Sequence, residues 1–155
     1  MIKLAVDTID RLDFQALSLW LSSEPFLTKG PLVEEFEAKF AEYMGTDYAV
    51  MVNSGSSANL LMLSALLCSG QLKKGDRVVI PAVCWATDLS PVMQLGLIPI
   101  LCDVNLHNAA VCLKDLERVI KDHKPKVLML VSILGMPPDM EEIVFLTRKY
   151  NVIFK

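Results

Sequence analysis

The stretch Lys73-Lys74-Gly75-Asp76-Arg77-Val78-Val79-Ile80-Pro81 decides the fold. A polar turn gives way to an apolar run without alternation, and a proline stops it. Such a run marks a strand over 77–80 buried on both faces, the habit of parallel sheets covered by helices. Residues 85–95 then take up helical spacing, and Pro91 inside them should kink or restart the helix. Gly96 closes that helix, and a second apolar run follows at 98–102.

The alternation extends both ways. Upstream, the spacing predicts a helix over 14–21, a loop over 22–30 holding Pro25 and Gly30, and a helix from Pro31 to about Met44. Pro31 suits a first helical turn, Phe36 and Phe40 share a face, and Gly45 ends the helix. Residues 48–52 read as a short buried strand and Asn53-Ser54-Gly55 as a turn. The helix over 56–67 is apolar nearly all round, so it should be central. Downstream come a helix over 113–121, a strand over 126–131, a helix over 139–150 and a strand opening at 151. This order predicts an α/β fold, a mostly parallel sheet with helices on both faces.

Composition narrows the class. The chain has 155 residues, enough for one core, and 53% are hydrophobic. A mean hydropathy of +0.42 suits a sheet covered on both sides. The longest apolar stretches, 60–68 and 127–136, are too short and interrupted to span a bilayer. Lys3, Asp7, Asp10 and Arg11 leave no apolar leader core, so a cytoplasmic protein without membrane attachment is expected. With a net charge of −3 and no basic cluster beyond Lys73-Lys74, no nucleic-acid partner is expected. Cys68, Cys84, Cys102 and Cys112 form no CxxC pair and read as buried free thiols, with no metal site among them.

Common signatures fail. Gly70 and Gly75 have P-loop spacing, but Asp76 follows where lysine is required. No Gly-x-Gly-x-x-Gly follows a strand, and Gly55-Ser56-Ser57-Ala58 leads into Asn59 where a nucleophile elbow needs glycine.

What remains is Asn53-Ser54-Gly55-Ser56-Ser57-Ala58-Asn59, an anion cradle in outline. Gly55 permits a sharp turn, Ser56 and Ser57 offer hydroxyls, and the helix start turns its amides and dipole toward one spot. Plain N-capping by Ser54 or Ser56 accounts for the same residues equally well. A second element, Pro81-Ala82-Val83-Cys84-Trp85-Ala86-Thr87, follows the carboxyl end of a strand, where open α/β sheets bind ligands. Trp85 can lie flat on a planar ring and Thr87 can add a hydroxyl, although a lone tryptophan more simply packs in a core. Together the elements describe a site for a flat phosphorylated cofactor, with Trp85 expected close to Ser56 and Ser57.

At this point a resemblance becomes specific. Leu27-Thr28-Lys29-Gly30-Pro31-Leu32-Val33-Glu34-Glu35-Phe36-Glu37 resembles the opening motif of the DegT/DnrJ/StrS family of sugar aminotransferases. Ser54-Gly55-Ser56-Ser57-Ala58-Asn59, then Gly75-Asp76-Arg77-Val78-Val79-Ile80-Pro81-Ala82, then Trp85-Ala86-Thr87 are similar to that family in the same order. So are Gly96-Leu97-Ile98-Pro99-Ile100-Leu101-Cys102-Asp103-Val104 and Leu134-Gly135-Met136-Pro137-Pro138-Asp139-Met140. The resemblance implies a fold-type I enzyme of the aspartate aminotransferase type, using pyridoxal 5'-phosphate (PLP) and normally a homodimer. It would place Gly55, Ser56 and Ser57 at the cofactor phosphate, Trp85 on the pyridine ring, and Thr28 and Gly30 in the active-site entrance loop. Residues 1–30 would be an N-terminal helix and entrance loop, and 31–155 part of the PLP-binding large domain.

The implied activity is amino transfer from an amino donor to a keto nucleotide sugar, in surface polysaccharide or sugar biosynthesis. Family members are longer, and their Schiff-base lysine and the aspartate at the pyridine nitrogen would lie beyond Lys155. No catalytic residue is therefore assigned, and the chain alone is expected to be inactive. Ser132 stands where many members carry histidine. The Ser-Ser-Ala-Asn form with Leu60-Leu61 resembles the branch of nucleotide-sugar 3-dehydratases, in which histidine replaces the lysine. Dehydration is thus one alternative; a non-catalytic remnant that binds a partner chain and an unrelated small nucleotide-binding domain are others. Asp103 suits a turn as well as a contact, His107 and His123 read as solvated, and Glu34, Glu35 and Glu37 with Lys39 read as a solvated helix face.

Overall fold

A computed structural model of the chain describes residues 6–154, so Lys3 and Lys155 lie outside it. The chain forms two compact units, one up to Met51 and one from Val52.

In the second unit the apolar run becomes β1 (Arg77–Pro81), joined by β2 (Ile98–Cys102), β3 (Val127–Leu128) and β4 (Ile153–Phe154). The order is β2-β1-β3-β4 and every pairing is parallel. Pro99 sits in β2, an edge strand, where a missing amide donor is tolerated. Helices α3 (Gly55–Cys68), α4 (Ala86–Gln94), α5 (Leu113–His123) and α6 (Met140–Lys149) cover the sheet. Alternation along the strands divides the core. Val78, Ile80 and Val127 pack with Leu63, Leu66 and Val92 of α3 and α4. Val79 and Leu128 pack with Leu116, Ile120, Ile143 and Leu146 of α5 and α6. Helices therefore lie on both faces, as the sequence pattern predicted.

Neighbouring strands β1 and β3 send their connections to opposite faces, to α4 and α6 respectively. A crevice opens beyond the carboxyl ends of two such strands. The segment from Pro81 to Trp85 starts there.

In the first unit, α1 (Arg11–Leu21) begins at a capping box in which Asp10 and Asp13 each accept the other's amide. Helix α2 (Pro31–Met44) opens on Pro31 and ends at Gly45 with φ +66°, a left-handed cap that costs glycine nothing. Phe36 and Phe40 stack with centroids 5.7 Å apart.

Several sequence readings are corrected. Residues 48–52 form no strand: no strand among the described residues pairs with them, and Tyr48, Val50 and Met51 are exposed. Consequently Gly55 is preceded by no strand and is itself the first residue of α3. That helix is not central; Leu63 and Leu66 are buried, but Leu61 is 44% exposed, because the sheet and α4 cover only one side. Of the cysteines only Cys102 is buried, whereas Cys68 is exposed and Cys84 and Cys112 are intermediate. Burial and the Asp115 carboxylate push the Cys102 thiol up to about 12. Glu37 is no solvated residue: it accepts from Lys29 Nζ at 3.1 Å and from the Met51 amide at 2.8 Å, tying together both ends of α2. Met51 and Lys29 together hold its carboxyl below the usual range.

Candidate functional site

The start of α3 is built by Ser54. Its extended backbone and hydroxyl make it the N-cap, and Oγ accepts the Ser57 amide at 3.2 Å. The capping role weighed for Ser54 is real, yet it occupies only one amide. Those of Gly55 and Ser56 have no hydrogen-bond partner among the described residues. Unpaired amides at the positive end of a helix favour an anion. Gly55 earns its place by neither strain nor crowding: its φ is ordinary, and an added Cβ would meet nothing within 4 Å. The chain bends at Asn53, and Gly55 itself is already helical.

A cleft of about 320 Å³ lies beside this helix start. The hydroxyl residues Ser56, Ser57, Thr87 and Ser90 line it, flanked by Leu60 and Gln94. Ser90 Oγ is engaged with the Ala86 carbonyl at 2.7 Å. No basic side chain lines the cleft, so its pull on an anion rests on amides, hydroxyls and the helix dipole. That neutral donor set fits a phosphate group. Thr87 thus joins Ser56 and Ser57. Ser90 and Gln94 escaped the sequence reading, although they follow Thr87 at helical spacing and could have been traced from it.

Trp85 is placed differently. It precedes α4 as its N-cap, with its amide donating to Asp88 Oδ2 at 3.0 Å. The side chain is 75% exposed, so it does not fill the core, and it is not among the residues lining the cleft. Thr28 and Gly30 belong to the first unit. There they line a groove of about 310 Å³ with Trp20, Pro25, Phe26 and Leu32. Ser132 follows β3 and leads into a 3-10 turn, Ile133–Gly135, where Leu134 takes φ +52°. Asp103 serves a turn: its carboxylate accepts the Val104 amide, and its own amide donates to Asp115.

One further contact joins α3 to α4. Asn59 Nδ2 donates to Asp88 Oδ1 at 2.8 Å and to the Thr87 carbonyl at 3.3 Å.

A parallel sheet in which β1 and β3 send their connections to opposite faces, and a hydroxyl cleft lined by α3 and α4, can be compared with known proteins. The chain is 39% identical over 142 residues to the GDP-4-keto-6-deoxy-D-mannose 3-dehydratase of Escherichia coli O55:H7, an alignment covering 90% of this chain and 36% of that protein. The solved E. coli GDP-4-keto-6-deoxy-D-mannose-3-dehydratase with bound hydrated PLP superposes with a TM-score of 0.88 at 37% identity, over 97% of this chain and 39% of that one. An aminotransferase from Psychrobacter cryohalolentis superposes with a TM-score of 0.82 at 26% identity, over 95% and 36% respectively. The chain therefore spans less than two-fifths of the length of these relatives. The sequence profile of the DegT/DnrJ/EryC1/StrS aminotransferase family matches residues 7–154. Motif order, sheet and relatives agree, and the chain belongs to this PLP-dependent family.

Proposed function

We propose that this chain is the cofactor-cradling part of a PLP-dependent enzyme acting on a nucleotide sugar, with 3-dehydration as the reaction of the whole protein. The unpaired Gly55 and Ser56 amides at the start of α3, next to a cleft lined by Ser56, Ser57 and Thr87, are the observation that carries the cofactor reading. Amino transfer, the activity expected from the sequence, yields to dehydration because the 3-dehydratase is 39% identical and the aminotransferase 26%.

When bound, PLP supplies an electron sink that stabilises a developing carbanion. The chain's own residues bind and orient. Ser56 and Ser57 would hold the phosphate by donating to it, and the α3 dipole would offset part of its charge. Trp85, exposed at the mouth of α4, offers its face to the flat ring. Thr28 and Gly30 form the entrance loop toward the sugar nucleotide. A second copy of the chain and an amino donor complete the proposed partners, in a cytoplasmic setting.

The test is binding of pyridoxamine phosphate, which lacks the aldehyde and cannot form imines with the 11 lysines. Binding should be competed by inorganic phosphate and weakened about tenfold by Ser56→Ala with Ser57→Ala, the loss of one or two charge-assisted hydrogen bonds. Equal affinity in that double variant, or indifference to phosphate, would overturn the cradle.

A further inference from the structure

We propose that Asn59 and Asp88 are a positioning pair that holds Trp85 in register with the phosphate cradle, an inference that rests on the cofactor reading above. The reason begins with Pro91, which has no amide proton. The helical partner of the Thr87 carbonyl, four residues earlier, is therefore missing. Asn59 Nδ2 fills that place at 3.3 Å and at the same time donates to Asp88 Oδ1 at 2.8 Å. The other carboxylate oxygen of Asp88 accepts the Trp85 amide at 3.0 Å. One side chain of α3 thus closes two hydrogen bonds on α4, and the second runs through Asp88 to the backbone of Trp85.

Position makes the linkage specific. Asn59 lies one turn beyond Gly55, on the helix whose first amides form the cradle. The segment that it grips is Thr87-Asp88, two residues beyond Trp85. Asp88 is 7% exposed and has no cationic partner among the described residues. A buried carboxylate met only by amides is an expensive way to join two helices, where apolar packing would serve. Its gain is geometric: the Trp85 backbone is fixed while its indole stays free in solvent.

The experiment uses the 155-residue chain with Trp20→Phe, leaving Trp85 as its sole indole. Pyridoxamine phosphate is titrated while quenching of Trp85 fluorescence and induced circular dichroism of the ligand are recorded. Asn59→Leu should weaken binding about tenfold and reduce both the final quenching and the induced signal. Asn59→Asp should do the same, and its combination with Asp88→Asn should recover part of the quenching, since the exchange restores a donor facing an acceptor. Asp88→Asn alone, nearly isosteric, reports in case Asn59→Leu does not fold, and should also lower the quenching. Wild-type amplitudes in these variants, with only the melting temperature lowered, would reduce the pair to helix glue and overturn the inference. Absence of binding by the parent chain would overturn the cofactor reading and this inference with it.

Discussion

Helix α3 presents a contrast that a pair of substitutions can measure. Leu63 is fully buried against Val78, Ile80, Val92 and Val127, whereas Leu61 on the same helix is 44% exposed. Leu63→Ala removes about three buried carbons, about 2.4 kcal/mol at roughly 0.8 kcal/mol each. The cavity left behind adds to that, so a total of about 3–4 kcal/mol is expected. For Leu61→Ala, with nearly half the residue already in water, about 1 kcal/mol is expected on the same scale. Urea denaturation followed by far-ultraviolet circular dichroism gives both values from the midpoint and slope. A Leu61→Ala cost equal to that of Leu63→Ala would refute the one-sided burial of α3. It would show the exposed face to be covered in solution, as the all-round apolar sequence of the helix first suggested.

Two glycines should separate in the same assay. Gly45→Ala, at φ +66°, should cost about 1 kcal/mol for its left-handed conformation alone, while Gly55→Ala should leave stability unchanged or raise it. The Glu117 carboxyl, which accepts the Tyr150 hydroxyl at 2.9 Å and pairs with Lys121 and Lys149, is held down to about 2. A lowered carboxyl stabilises above its unfolded value of 4.5 and loses that contribution as pH falls toward about 2. The melting temperature should therefore drop across that window, and Tyr150→Phe should flatten the drop; an unchanged profile would remove Tyr150 as the main cause.

Much of the second unit was legible because strands buried on both faces leave uninterrupted apolar runs. Val78-Val79-Ile80 and its proline stop gave β1 to within a residue. Helix caps were legible for a local reason, since Pro31 and Gly45 act through their own backbone. The segment over 48–52 misled because β-propensity says nothing about whether a partner strand stands alongside. The site was half legible. Ser56, Ser57 and Thr87 could be gathered from strand-end logic, but the joint role of Asn59 and Pro91 depends on two helices meeting 28 residues apart in sequence. Nor could Glu37 be told from its neighbours, because its bond to Met51 spans 14 residues.

The parallel order β2-β1-β3-β4 also governs how the second unit is made. Its central strand pairs first with residues 98–102 and then, across its other edge, with 127–128. Neither pairing can form through a tight hairpin, so each must await a whole helix and the closure of a long loop. Until α5 and β3 arrive, one edge of β1 and the face carrying Val79 are open to water and to other chains. Slow folding and a window of aggregation follow from that topology. Early strand pairing should therefore be limited to β1 and β2, whose connection through α4 is the shorter.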